Sequence, residues 1–476
     1  MEHLLAMLRR ETAGYRRPTI PSLAIANAAH YEGLQQSLLP SWRTRMRRLC
    51  TLTLVAALNA AVAPLAAQQA FGTWQGTLAT AAKPLRLVFD IAKDNGRVKV
   101  VQFSIDQSGF QSPITADTIG ITSRTLRIVF SRIRGTFDGT LNGRGDTITG
   151  TWTQGGSPRP LVFVRATAQT AWRDSSSHSI RQVAVDTSIS LEVLDWGGTG
   201  RPVVLLAGAG NTAHVFDQFA MRLVGRYHVV GITRRGFGRS SAPTFGYSAD
   251  RLGDDVLAVL DSLRLAKPVL IGHSIAGEEL SSIGSRRPER VAGLVYLDAG
   301  YAYAFYDSAQ QNTLINMYDV QRKLASLSPA LSPRALESIL NELLTTSLPL
   351  MERAMRSWAQ SLALRPDRDV TPPPFARDLV ADSLFAGFQK FTAIRAPVLA
   401  IFAAPREPSA ALLKDSVALA KSDSTYLAGV MPQIEAFERG IPGARVLRIS
   451  HSNHYVFRSH EAEVLKDVVE FIDGLH

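Results

Sequence analysis

Gly272-His273-Ser274-Ile275-Ala276-Gly277 narrows the folds open to this chain more than any other stretch. The apolar residues up to Ile271 read as a buried strand, and Glu278 to Ile283 read as the start of a helix. A serine set among small residues between a strand and a helix is the pattern of a nucleophile elbow. The tight turn exposes the serine hydroxyl, and small residues at 272 and 276 let neighbouring backbones approach. The helix that follows aims free N–H groups and its positive end at any negative charge developing beside the serine.

The 476 residues have room for two domains, and 46% hydrophobic with 20% charged residues describes a globular chain. A formal charge of +11 suggests a polyanion partner at first sight. Eight arginines lie within the first 67 residues, however, and no dense basic block with interleaved aromatics follows. Nucleic-acid binding is therefore not expected. Met46-Arg47-Arg48 followed by the apolar run Leu49–Ala63 and Pro64-Leu65-Ala66-Ala67 has the layout of a signal peptide cleaved near residue 67. Met46 is the expected start, with 1–45 an over-extended reading frame and 46–67 the leader. The expected destination is periplasmic or secreted, without a stable membrane span in the mature chain. Cys50, the sole cysteine, falls inside this segment, so disulfides, thiolate metal sites and cysteine catalysis are not expected.

Residues 70–166 read as an all-β domain. Gly72-Thr-Trp-Gln-Gly-Thr-Leu78 recurs as Gly135-Thr-Phe-Asp-Gly-Thr-Leu141, Gly150-Thr-Trp152 echoes both, and Asn142-Gly143 marks a hairpin. A small barrel or sandwich is expected, with a binding or spacing role. Residues 167–179 read as a linker. From 180 onward, apolar strands at 181–186, 190–195, 202–207, 227–233, 268–273, 291–298, 397–403 and 445–450 alternate with helical stretches. This pattern argues for a mostly parallel sheet covered on both faces, with an antiparallel start. Residues 300–395 read as a mostly helical, aromatic-rich lid broken at Pro372-Pro373-Pro374.

Four segments complete the constellation around Ser274. Leu205-Leu206-Ala207-Gly208-Ala209-Gly210 is a strand running into a Gly-rich turn, and the Ala209 N–H is the candidate partner of the Ile275 N–H in an oxyanion hole. Gly231–Ser240, rich in glycine and arginine, is expected to hold backbone geometry beside the site. His454, deeper in its loop than His451, is the candidate base. For the acid, Glu407 after strand 397–403 is favoured over Asp298 at the end of strand 291–298. No cofactor or metal centre is expected.

In these segments residues 180–476 resemble an α/β-hydrolase-fold serine hydrolase of the esterase or lipase kind. Residues 70–166 resemble, weakly, the β-rich modules found ahead of exported bacterial hydrolases. The first resemblance implies a Ser–acid–His triad acting on a small-molecule ester or acyl substrate. Two positions depart from the pattern: Ala207 stands where a histidine is usual, and Arg406 where the late-loop aspartate is usual. Other expectations on the same fold are a C–C hydrolase, a lyase, a cofactor-free haloperoxidase or a non-catalytic binding relative.

Overall fold

A computed structural model describes residues 69–80, 84–108, 113–122, 124–154, 157–172, 177–310, 312–363, 379–409 and 412–475. The expected leader with Cys50, and the Pro372–Pro374 break, lie outside the described residues.

The first nine strands, β1 (Gly72–Leu78) to β9 (Ser157–Arg165), form one sheet in the order β4-β3-β2-β1-β9-β8-β7-β6-β5, antiparallel throughout. Its two edges, β4 (Ile114–Thr115) and β5 (Thr118–Ile121), are separated in sequence by two residues only. The N–H groups of those residues donate to Val100 on one side (2.9 Å) and Val129 on the other (2.9 Å). The edges therefore meet and the sheet curls into a barrel, which leaves little unpaired edge. The sequence repeat has a packing reason: its third residue, Trp74, Phe137 or Trp152, points inward each time and is buried. With Phe89, Phe130 and Phe163 these rings fill the barrel, and Phe89 and Phe163 lie 4.3 Å apart between centroids.

The second sheet has eight strands in the order β10-β11-β13-β12-β14-β15-β16-β17. They are β10 (Ser179–Asp186), β11 (Ile189–Gly197), β12 (Pro202–Leu206), β13 (His228–Ile232), β14 (Val269–His273), β15 (Gly293–Leu297), β16 (Val398–Ala403) and β17 (Arg445–Ile449). β11 runs antiparallel to β10 and β13, and every other pairing is parallel. The parallel strands are buried on both faces, as their near-continuous Val, Ile and Leu content requires. One apolar cluster packs on each face, around Leu257, Leu280 and Phe437 on one and Phe216, Phe219 and Val468 on the other.

Three helices matter for the site. α1 (Asp217–Leu223) follows β12 and its turn. α2 (Ala249–Ser262) turns Leu252, Val256, Val259 and Leu260 inward, and the Ser248 hydroxyl caps its first turn from Arg251 N–H at 3.4 Å. α3 (Gly277–Arg286) starts directly behind Ser274. Between β15 and β16 the chain forms helices at Thr313–Ser326, Pro333–Glu342, Leu348–Ala363 and Leu379–Ala386. No helix among the described residues is long and apolar enough to cross a membrane.

Candidate active site

In a parallel sheet, side chains that act together gather at the carboxyl ends of the strands. Here β12 ends in the Ala207–Gly210 turn, β14 in Ser274, β15 in Asp298 and β17 in the loop that carries His454. Three non-glycine residues at these ends adopt the left-handed backbone region: Ser274 at φ 54°, Asp298 at φ 47° and His451 at φ 54°. For L-residues this costs roughly 1–2 kcal/mol each, and such outliers gather where geometry serves function. Half-buried Ser274 is thereby turned out of the strand line, with the Tyr303 phenol close by.

The Gly-rich turn lies against the serine. A Cβ on Gly208 would sit 3.0 Å from Ser274 Cβ and 2.8 Å from His273 Nδ1, so only glycine brings the turn this close. Arg234 steadies it from below. Its guanidinium is buried, pairs with Glu279 on α3 and donates to the Ala207 carbonyl at 3.0 Å. This is the bracing that the glycine- and arginine-rich stretch after β13 was expected to provide.

His454 Nδ1–H donates to Asp298 Oδ2 at 2.6 Å, which fixes the imidazole tautomer with Nε2 bare. Asp298 is wholly buried yet densely solvated by protein. It accepts from Arg406 Nη2 at 3.0 Å, from the Ala403 N–H at 3.1 Å and from the Tyr301 hydroxyl. Burial alone would raise its carboxyl, but the His454 bond and the Arg406 charge overcome it and hold the group below the ordinary carboxylate range. His451, the other histidine of the loop, faces Asp423 at 2.9 Å instead.

The sequence preference for Glu407 over Asp298 is corrected. Arg406 forms a bridge with Ser452, and the Glu407 N–H donates to the Ser452 carbonyl at 2.9 Å, so the segment is locally extended. Successive side chains on extended backbone point to opposite sides. Arg406 faces Asp298 and His454, and Glu407 consequently faces away, where it accepts from Asn453 Nδ2 at 3.3 Å.

Several contributors carried no sequence signal. His273 is buried, donates from Nε2–H to the His454 carbonyl at 3.0 Å, and packs its ring 4.6 Å from that of His454. Burial and the neighbouring His454 push it down to about 3, so it works as a neutral strut. Tyr455 accepts from Asn211 Nδ2 at 3.1 Å and from Gln107 Nε2 of the barrel at 3.5 Å. Glu278, one turn along α3 from Ser274, is fully buried, and neither of its oxygens has a partner among the described residues. Burial raises its carboxyl well above the usual range. Only contact in three dimensions reveals the roles of His273 and Tyr455, because each depends on a residue distant in sequence.

The α/β hydrolase fold family model matches residues 201–461, more than half of the chain. The chain belongs to that family. It is similar to the 2-(acetamidomethylene)succinate hydrolase of Mesorhizobium japonicum, 27% identical over 124 residues, which is 26% of this chain and 44% of that one. A non-heme chloroperoxidase of Streptomyces lividans is 39% identical over 108 residues, 22% of this chain and 39% of its own. The chain thus spans about two fifths of the length of these curated relatives. Among solved structures, an esterase from a Rhodococcus species aligns at 21% identity with TM-score 0.40, covering 63% of this chain and 100% of that one.

Proposed function

We propose that this hydrolase cleaves a carboxylic ester, or a closely related acyl bond, through an acyl-enzyme on Ser274. The observation that carries the reading is the 2.6 Å bond from His454 Nδ1 to buried Asp298 on the sheet edge that also exposes Ser274. In this reading His454 Nε2 removes the Ser274 proton as the hydroxyl attacks the acyl carbon. Asp298 holds the imidazole and offsets its charge. The N–H groups of Ala209 and Ile275 receive the oxyanion, and the positive end of α3 adds to their effect. The proton then passes from His454 to the leaving oxygen, and a water activated by the same imidazole releases the acid. The helices between β15 and β16 act as a lid whose aromatics, Tyr303 and Phe388 among them, line the acyl side. The leader-like residues 46–67 support export of the enzyme, which N-terminal sequencing of the mature protein would check.

The test is direct. The purified chain should hydrolyse short p-nitrophenyl esters and label with a fluorophosphonate, and Ser274→Ala should abolish both. Folded protein that does neither would sink the reading.

A further inference from the structure

A second constellation lies on the far side of the Gly-rich turn, where the chain passes from the barrel into the second sheet. His178 ends the linker, His214 lies in the 3-10 turn Ala213–Phe216 and Asp217 opens α1. One ligating atom from each of the three lies within 4.8 Å of the others, and the two imidazoles meet edge to face with centroids 4.9 Å apart. His178 and His214 side chains are almost wholly shielded from solvent.

We propose that His178, His214 and Asp217 bind a divalent transition-metal ion, zinc by its ligand chemistry, which staples the linker to the segment after the Gly-rich turn. Two imidazole nitrogens and one carboxylate oxygen are a borderline-soft set suited to zinc. Zinc bonds of about 2.0–2.1 Å would draw the three atoms in by about 1 Å.

Two observations favour a cation over a plain ion cluster. First, His214 is buried, yet neither ring nitrogen makes a hydrogen bond among the described residues. Its Nδ1 stands 3.5 Å from Asp217 Oδ2, and its Nε2 stands 3.9 Å from Glu192 Oε1. A buried imidazole left so loosely held marks a missing partner. Second, the surroundings have the layout of a metal site's outer layer. Glu192 faces the nitrogen of His214 turned away from Asp217 and is itself held by the Thr233 hydroxyl at 2.8 Å. Trp196 Nε1–H donates to Asp217 Oδ1 at 3.2 Å, while Oδ2 is the oxygen that faces His214. The sequence reading, which expected no metal centre, could not see this, since the fold alone joins His178 to His214. The staple also has a place in the design, because a single cysteine permits no disulfide within the chain.

The full-length protein, stripped with EDTA and dialysed, is titrated with Zn2+ by calorimetry and with Co2+ by visible absorption. One ion per chain is expected, with a Co2+ d–d band typical of nitrogen and oxygen ligands. At a hundredfold excess over Kd, Zn2+ should raise Tm by roughly 4 °C. His178→Gln, verified as folded by circular dichroism, should bind at least tenfold more weakly and lose the Tm rise, and Asp217→Asn should do the same. Failure of the folded wild-type chain to bind one ion overturns the proposal. So does an equal affinity and Tm rise in wild type and His178→Gln. Both readouts are independent of acyl chemistry, so they stand apart from the hydrolase reading.

Discussion

Asp298 answers at the level of single residues the question that sequence order left open. A carboxylate at the end of β15 or on the loop after β16 could equally reach a histidine over the sheet edge, and what decides is which way each side chain points. Alternation along the extended stretch at 406–407 turns the arginine inward and the glutamate out. Asp298→Asn should therefore lower kcat roughly 10³–10⁴-fold, the loss seen when a base loses its orienting acid, while Glu407→Gln should change it less than about threefold. Steady-state kinetics on an aryl ester compares them, and the reverse ranking would restore Glu407. Ser274 and His454 could be singled out as candidates because their signals are local: small flanking residues for one, a late loop after a strand for the other. Glu278 was not legible, since nothing in its neighbours announces burial. Burial favours its protonated form in the folded state, whereas the carboxyl of the unfolded chain has the ordinary value of 4.5. Its folded value is raised, so the stability it allows is fully present below pH 4.5 and declines as pH rises above that. Glu278→Gln removes the titration. Thermal melts should show its Tm rising relative to wild type between pH 4 and pH 8, by a free energy on the order of 1 kcal/mol. A difference that does not change with pH would contradict this.

Elements rather than residues set the elbow. α3 begins so close to the turn after β15 that a Cβ on Gly277 would meet the Ala299 carbonyl oxygen at 2.1 Å. That contact ties the start of the helix behind Ser274 to the turn that presents Asp298, so the two move as one piece. Gly277→Ala must push them apart and should cost roughly 1–3 kcal/mol, with a fall in kcat beyond what Gly284→Ala, further along the same helix, produces. A melt and an activity assay on both variants test it, and equal kcat in the two would show that the junction does not hold the site. The strands of the second sheet could be read from their apolar runs to within two residues, because both faces are covered and nothing dilutes the pattern. The barrel's closure could not. It depends on two short edge strands whose joining residues hydrogen-bond in both directions, and no periodicity reports that.

For the molecule as a whole, the barrel and the second sheet each close their own apolar core. The rings around Phe89 belong to one cluster, and the clusters around Phe437 and Phe457 draw on residues of the second sheet and its helices alone. Among the described residues, what joins them is largely polar. The Gln107 carbonyl accepts from the Thr212 N–H and hydroxyl, both at 3.3 Å, its amide reaches Tyr455 at 3.5 Å, and Arg132 donates to the Gly236 carbonyl at 2.5 Å. A few such bonds, each worth about 1 kcal/mol net, fall well short of the 5–15 kcal/mol that holds a domain together, so unfolding should not be a single cooperative event. Scanning calorimetry should resolve two transitions. Charging Ser274 with a fluorophosphonate should move only the one that belongs to the second sheet, since the adduct can stabilise only the core that surrounds it. One transition whose calorimetric and van't Hoff enthalpies agree would mean that the Gln107 and Arg132 contacts couple the two cores far more strongly than their number implies. The barrel would then be an integral wall of the site beside Tyr455 and His454, and Gln107→Ala would be expected to lower kcat/KM as well as Tm.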